Sequence, residues 1–386
     1  MNRRRYQRVD FDRAPFVVFY ELTQACDLAC QHCRASAQPE AHPGELDAQQ
    51  SRELLGQLAR FEPRPVVVLT GGDPLKRKDL ESLVAFGTSL GLEMALTPSA
   101  TPLLTRNAIE SLVRAGLQRI ALSLDGAEAK THDAVRGFDG SFATTLRAMA
   151  HARELGLPVQ VNTTLTKDNL HELEPLARLL GSQGIVLWSV FFLVPTGRAA
   201  ADRRLTPEQC EEAFAVLWQE SLRQPYAIKT TEAPHYRRYV MEISGASTAR
   251  SRVGVPTSPE LPRPQRAPLG ANDGKGVMFI GHTGHIYPSG FLPALAGTFP
   301  AQSPVDVYRD GAVFRALRDP NLLQGKCGRC EYRQICGGSR ARAFALTGSA
   351  FAEEPDCAYE PQEDAAHSNP TLPPHVRGLE VHLPTL

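Results

Sequence analysis

From about residue 16 to residue 224 the sequence alternates short apolar runs with longer amphipathic stretches, six times over. The apolar runs fall at residues 16–22, 66–69, 93–96, 119–124, 159–165 and 185–193 and are rich in Val, Ile and Leu. Runs of that length and composition suit strands buried on both faces. Between them, residues 48–60, 79–90, 106–115, 142–155 and 170–180 space their apolar positions as helices do, and a further helix is expected at 207–223. Gly91, Gly116, Gly156 and Gly184 stand just ahead of four strands, where helices end in a left-handed cap. Six β/α units in series predict an α/β fold with a parallel sheet and right-handed crossovers. Six are too few to close an eight-fold barrel. A partial (β/α)6 TIM-like barrel is expected, with functional residues at the C-terminal ends of its strands.

The 386 residues leave room for a second unit beyond that barrel. The expected division is a core barrel over 1–225, a connecting segment over 226–276, a second unit over 277–360 and an extended, Pro-rich tail over 361–386. Within the connecting segment, residues 244–272 are rich in Ser, Pro, Gly and Arg and read as a flexible loop. Residues 277–280 and 285–287, joined by Gly281-His282-Thr283-Gly284, read as a β-hairpin. The 42 basic and 42 acidic residues cancel, so charge offers no reason to expect a nucleic-acid or membrane partner. No run approaches 18 apolar residues, and the basic opening is followed by no apolar signal core. A cytoplasmic location is expected.

Seven of the eight cysteines fall into two groups. The first, Cys26-Asp27-Leu28-Ala29-Cys30-Gln31-His32-Cys33, follows the first strand with the spacing C-x3-C-x2-C. Three thiolates in one tight loop can hold three irons of a cubane and leave the fourth iron open. Structural zinc normally takes four ligands, so this loop suits it poorly.

On these residues the chain resembles the radical S-adenosylmethionine superfamily, whose C-x3-C-x-φ-C signature follows the first strand of a partial barrel. The resemblance implies that Cys26, Cys30 and Cys33 ligate a [4Fe-4S] cluster. It also implies that S-adenosylmethionine chelates the open iron and is cleaved reductively to a 5′-deoxyadenosyl radical. His32 then takes the φ position near the adenine. Thr70-Gly71-Gly72-Asp73-Pro74 is similar to the GGE-type motif that meets the cofactor's amino group, with Asp73 in place of Glu. Ser123 and Arg136 match positions that hold the cofactor carboxylate, for which the Arg fork is well suited. Ser99, after the third strand, is the candidate for the ribose hydroxyls. Asn162 on the fifth strand is a further candidate, and Arg198, after the sixth, is a candidate for cofactor or substrate. A reducing partner such as flavodoxin or ferredoxin is implied.

The second group reads C-x2-C-x5-C and then Cys357, from Cys327, Cys330 and Cys336. Four thiolates complete an iron–sulfur cubane or a zinc site. The region resembles the SPASM extension of the same superfamily, in particular enzymes of alternative heme and d-type heme biosynthesis and the mycofactocin peptide maturase. Ser289 and Ser339 stand where many relatives have cysteine. One auxiliary [4Fe-4S] cluster, held by Cys327, Cys330, Cys336 and Cys357, is therefore expected. Cys210, alone in a helix, reads as a buried structural thiol. Glu232, His235, Tyr236, His282, His285 and Tyr287 gather near the entry to this region without an assigned role.

The expected function is hydrogen abstraction from a tetrapyrrole side chain or a ribosomal peptide, with the auxiliary cluster assisting electron transfer. The alternative is a non-catalytic iron–sulfur or zinc protein acting as electron carrier or scaffold, against which the cofactor motifs count. A methyltransferase of the Rossmann type would need a G-x-G-x-x-G loop after the first strand, and none is present.

Overall fold

The computed structural model describes residues 10–244 and 270–361. The tail beyond residue 361 and nearly all of the 244–272 loop lie outside the described residues. The six expected strands are β1 (Val17–Glu21), β2 (Val66–Thr70), β3 (Glu93–Leu96), β4 (Arg119–Ser123), β5 (Val159–Leu165) and β6 (Leu187–Phe192). They are joined by β7 (Ala227–Thr231), β8 (Val277–Ile280), β9 (His285–Tyr287) and β10 (Gly297–Thr298). One sheet contains all ten, in the order β10-β9-β8-β1-β2-β3-β4-β5-β6-β7, and every pairing from β8 to β7 is parallel.

Three features depart from the sequence reading. Ala227–Thr231 forms a seventh strand beside β6, with Leu187 opposite Ala227, although its Lys-Thr-Thr end shows no apolar run. Val277–Ile280 and His285–Tyr287 do pair as a hairpin, but the first of them also extends the barrel by lying parallel to β1. The strands are also not uniformly apolar on both faces. In β5, Val159, Val161, Thr163 and Leu165 are buried beneath the helices, while Gln160, Asn162 and Thr164 alternate with them on the other face. Successive residues of a strand point to opposite faces, so a helix layer outside and a polar lumen inside produce this pattern.

The helices seal the outer face. The helix Ala48–Leu58 buries Leu54, Leu55 and Leu58 completely and begins at Asp47, which forms a reciprocal capping box with Gln50. Truncating any one of these leucines to alanine costs about 2–5 kcal/mol. The four interstrand glycines all take positive φ, as helix-ending positions require. Cys210 is buried in the main core. The sheet curves around a lumen whose lining includes Lys229 of β7 and Val277 of β8, the two ends of its parallel run, together with Glu232, Pro234, Arg237, Ala271, Asn272 and Asp273. No helix among the described residues is long and apolar enough to cross a membrane.

Candidate active site

The loop after β1 places Cys26, Cys30 and Cys33 in the wall of a cavity of about 200 Å³ at the C-terminal ends of the strands. Its backbone is held from several sides. Cys26 N–H donates to the Gln38 carbonyl (2.7 Å), and Arg198 donates from Nε to the Cys30 carbonyl (2.9 Å) and from Nη1 to that of Ala37 (3.0 Å). Arg198 does not line the cavity, so it clamps the cysteine loop instead of meeting a ligand. Gly71 and Gly72 pack against the start of the loop, where a Cβ would come within 2.5 Å of the Thr23 carbonyl and 2.4 Å of the Ala25 carbonyl. The close approach these glycines permit is therefore to the loop's own backbone.

The same cavity is lined by His32, Gly71, Gly72, Ser99, Ser123, Arg136 and Asn162. Asp73 is the expected site residue that is not brought there. It is fully buried and accepts from Thr101 Oγ1 (2.8 Å) and from the Leu75 and Ser99 amides (3.1 and 3.4 Å). Asp73 thereby fixes Ser99, whose hydroxyl donates to the Gly72 carbonyl (2.8 Å) and lies 3.4 Å from Cys26 Sγ.

Arg136 is held by Asp125, which the sequence reading did not single out. Asp125 Oδ2 lies 2.5 Å from Arg136 Nη2, and its Oδ1 accepts from the Thr164 amide (2.7 Å). Burial acts to raise the Asp125 pKa, but Arg136, with the His32 and His132 rings, outweighs it and keeps the carboxylate charged. Arg136 Nη1 lies 3.8 Å from Cys30 Sγ, while its buried Nε has no hydrogen-bond partner. A buried, unused donor on the wall of this cavity suits an incoming carboxylate. Burial pushes the His32 pKa down to about 4, so its imidazole is neutral at pH 7. Arg34 was also missed, although it adjoins Cys33. Its Nη2 pairs with Glu21 Oε2 at 2.5 Å, and His282 Nδ1 lies 2.6 Å from Glu21 Oε1, giving His282 a definite place beside β1.

His132 supports the same network. Its Nδ1 accepts from the Asp125 amide (3.0 Å), and Nε2 lies 3.2 Å from Ser141 Oγ. Burial, and then the Arg136 charge, push its pKa down to about 4 from 6.5. Between those values the unfolded chain binds the extra proton, so stability present above pH 6.5 is lost as the pH falls toward 4. The loss is on the order of 3 kcal/mol. Urea midpoints of the wild type at pH 7.5 and pH 4.5 are expected to differ more than those of His132→Asn; equal differences would remove His132 from the account.

Cys327, Cys330, Cys336 and Cys357 line one small cavity with His235, Arg238 and Glu354. Cys327 Sγ accepts from the Glu354 amide (3.2 Å) and Cys336 Sγ from the Gly338 amide (3.4 Å), and Arg340 Nη2 lies 3.9 Å from Cys327 Sγ. Burial pushes the pKa of Cys327 and Cys336 up, and these donors work against it. Among the described residues no three His, Cys, Asp or Glu side chains converge as a single metal ion requires. Buried Ser339, in the position of an absent cysteine, hydrogen-bonds Glu232 Oε2 (2.5 Å). Burial, with Asp273 beside it, raises Glu232 well above the usual carboxyl range. His235 and Tyr236 pack against Phe214 (ring centroids 4.8 and 5.4 Å), whereas His285 and Tyr287 lie on β9 with their rings 6.3 Å apart.

A parallel partial barrel with three thiols at its strand ends, beside a cavity furnished for a carboxylate, defines a class. The chain belongs to the radical SAM superfamily: residues 20–180 match that family's model. It is therefore an enzyme that uses a [4Fe-4S] cluster and S-adenosylmethionine. It is 36% identical over 352 residues to an AdoMet-dependent heme synthase of Oleidesulfovibrio alaskensis, covering 91% of this chain and 89% of that one. It is 37% identical over 348 residues to another from Methanosarcina barkeri, covering 90% and 97%. A PqqA peptide cyclase of Rhodopseudomonas palustris is 30% identical over 361 residues, covering 91% and 88%. Among solved structures, Streptococcus suis SuiB superposes with a TM-score of 0.68 at 16% identity, covering 90% of this chain and 78% of that one, a likeness of fold.

Proposed function

We propose that this enzyme removes hydrogen from a propionate-type side chain of a carboxylate-bearing tetrapyrrole, leading to oxidative decarboxylation. The observation that carries this reading is the 36–37% identity to heme synthases over about nine-tenths of the chain, against 30% to the peptide cyclase. In this reading Cys26, Cys30 and Cys33 hold the cluster, and Arg136, through its free Nε, and Ser123 take the cofactor carboxylate. Ser99 meets the ribose, neutral His32 lies beside the adenine, Gly71 and Gly72 shape the wall near the amino group, and Asn162 faces both cofactor and substrate. Cys327, Cys330, Cys336 and Cys357 hold one auxiliary [4Fe-4S] cluster, and a flavodoxin- or ferredoxin-type donor in the cytoplasm supplies electrons. When bound, these groups supply a 5′-deoxyadenosyl radical and a one-electron acceptor.

The chain's own contribution is position and exclusion of water. The cofactor cavity continues into the lumen, because Arg34, Thr70, Thr97, Asn162, Phe191 and Phe291 line both. Phe191 and Phe291, with ring centroids 6.2 Å apart, give the passage an uncharged aromatic side beside the polar Arg34, Thr70, Thr97 and Asn162. Holding one carbon against the reactive 5′ position is worth several kcal/mol of orientation. The side chain loses one hydrogen atom, then carbon dioxide and one electron, and is left as a vinyl group.

Anaerobically reconstituted enzyme with dithionite, S-adenosylmethionine and an iron porphyrin bearing four propionates is expected to release carbon dioxide in step with 5′-deoxyadenosine. Cofactor cleavage without any change in the porphyrin's mass overturns the tetrapyrrole reading. Cleavage coupled to a mass change in a ribosomal peptide replaces it with the second reading, which the peptide cyclase similarity supports. The same preparation is expected to hold about eight irons per chain; about four, with stoichiometric zinc, removes the auxiliary cluster.

A further inference from the structure

We infer that the far end of the barrel lumen is a carboxylate-binding floor, formed by Arg119, Lys229 and Arg237, that anchors the substrate carboxylates remote from the reacting one. The inference rests on the tetrapyrrole reading and assigns the groups that would recognise such a substrate.

The lumen encloses about 350 Å³ and is lined by all three cations. Strand alternation places them relative to the chemistry. On β4, Arg119 and Ala121 line the lumen and Ser123 lines the cofactor cavity. At about 3.3 Å per residue, Arg119 sits roughly 13 Å below Ser123 along the strand. Lys229 projects from β7, three strands further round the sheet. Arg237 comes from the helix His235–Ile243 and is oriented by the Ala271 carbonyl (2.7 Å) and the Ile335 carbonyl (2.9 Å). Arg119 and Arg237 both lie close enough to Lys229 to act on its charge, so the three cations share the part of the lumen that Arg119 marks, away from the cofactor cavity.

Among the described residues, Arg119, Lys229 and Arg237 take part in no salt bridge. The acids that share the lumen are Glu93, Glu232 and Asp273. Asp273 Oδ2 accepts from the Arg340 and Ala341 amides (3.1 and 3.0 Å), and Glu232 is bonded to Ser339. Burial, reinforced by Arg119 and Arg237, pushes the Lys229 pKa down to about 8, as expected where like charges face one cavity. Grouped cations in a partly desolvated cavity are costly unless an anion completes them. Two or more carboxylates on one rigid ligand meet that need, and an uncharged substrate does not.

The test is a titration of reconstituted holoenzyme with a four-propionate iron porphyrin, followed at its visible absorption band, alongside its tetramethyl ester. Arg119→Gln and Lys229→Gln are each expected to weaken binding of the acid by about tenfold or more, the span of one charge-assisted hydrogen bond. The ester is expected to bind weakly to wild type and variants alike. Lys229→Arg, which keeps the charge, is expected to retain most of the affinity, and iron content and thermal midpoint report that each variant has folded. If wild type binds the acid and both Gln variants bind it equally well, or if the ester binds as tightly as the acid, the floor is overturned while the tetrapyrrole reading stands. If folded, iron-replete wild type shows no saturable binding of the acid, the tetrapyrrole reading itself fails.

Discussion

Replacing Cys30 with serine is expected to abolish 5′-deoxyadenosine formation and to lower the iron content from about eight to about four per chain. The thiol faces the cofactor cavity and lies 3.8 Å from Arg136 Nη1; burial pushes its pKa up, and the Arg136 charge opposes that. Serine keeps the size of the side chain but is a poor iron ligand. The fold is expected to survive, because what ties Cys30 to the rest of the chain is its backbone carbonyl, which accepts from Arg198. Without a complete cluster no other group in the cavity can cleave a sulfonium bond by electron transfer. The rate then falls by at least about 10⁶-fold, the lower range of enzymatic acceleration. Chromatographic product assay and iron counting on the same sample check both expectations. A Cys30→Ser enzyme that keeps its iron and its turnover would remove this residue from the proposed ligand set.

Asp125→Asn is expected to have the largest effect on stability of any change around the cavity. The carboxylate is fully buried and, among the described residues, is the one acid in a salt bridge with Arg136. Its neutralisation leaves a buried guanidinium uncompensated, which costs about 3–5 kcal/mol. Activity is expected to fall with it, because Arg136 and His32 are both positioned against Asp125 (2.5 and 3.8 Å). Denaturant midpoints measure the first effect. The double variant Asp125→Asn/Arg136→Gln separates pairing from packing: it is expected to be more stable than Asp125→Asn alone, since the orphaned charge is gone. Equal stability of the single and double variants would show that the pair is not what holds the site.

The β/α alternation and the C-x3-C-x2-C loop were legible in the chain because both are local. Helix and strand periods repeat within a dozen residues, and three thiols within eight residues must share a loop wherever the chain goes. The same holds for the grouping of Cys327, Cys330 and Cys336. Strand β7 was missed because a strand facing a polar lumen need not be apolar, as Lys229, Thr230 and Thr231 show. Asp73 was expected in the cavity from its place after two glycines, but whether a side chain one residue further on points into the cavity or beneath it depends on how the turn meets Ser99 and Thr101.

By itself the sequence determined the six β/α units of the barrel, the two cysteine groups and the end of the barrel at which chemistry belongs, since each depends on spacing along the chain. Only the tertiary structure decided that Asp125 holds Arg136, that Glu21 joins Arg34 to His282, and that three cations from distant segments face one lumen. The physical reason is that charges act through space. Arg119 and Lys229 are 110 positions apart in the chain and become neighbours only when the sheet curves and brings β4 and β7 around the same cavity.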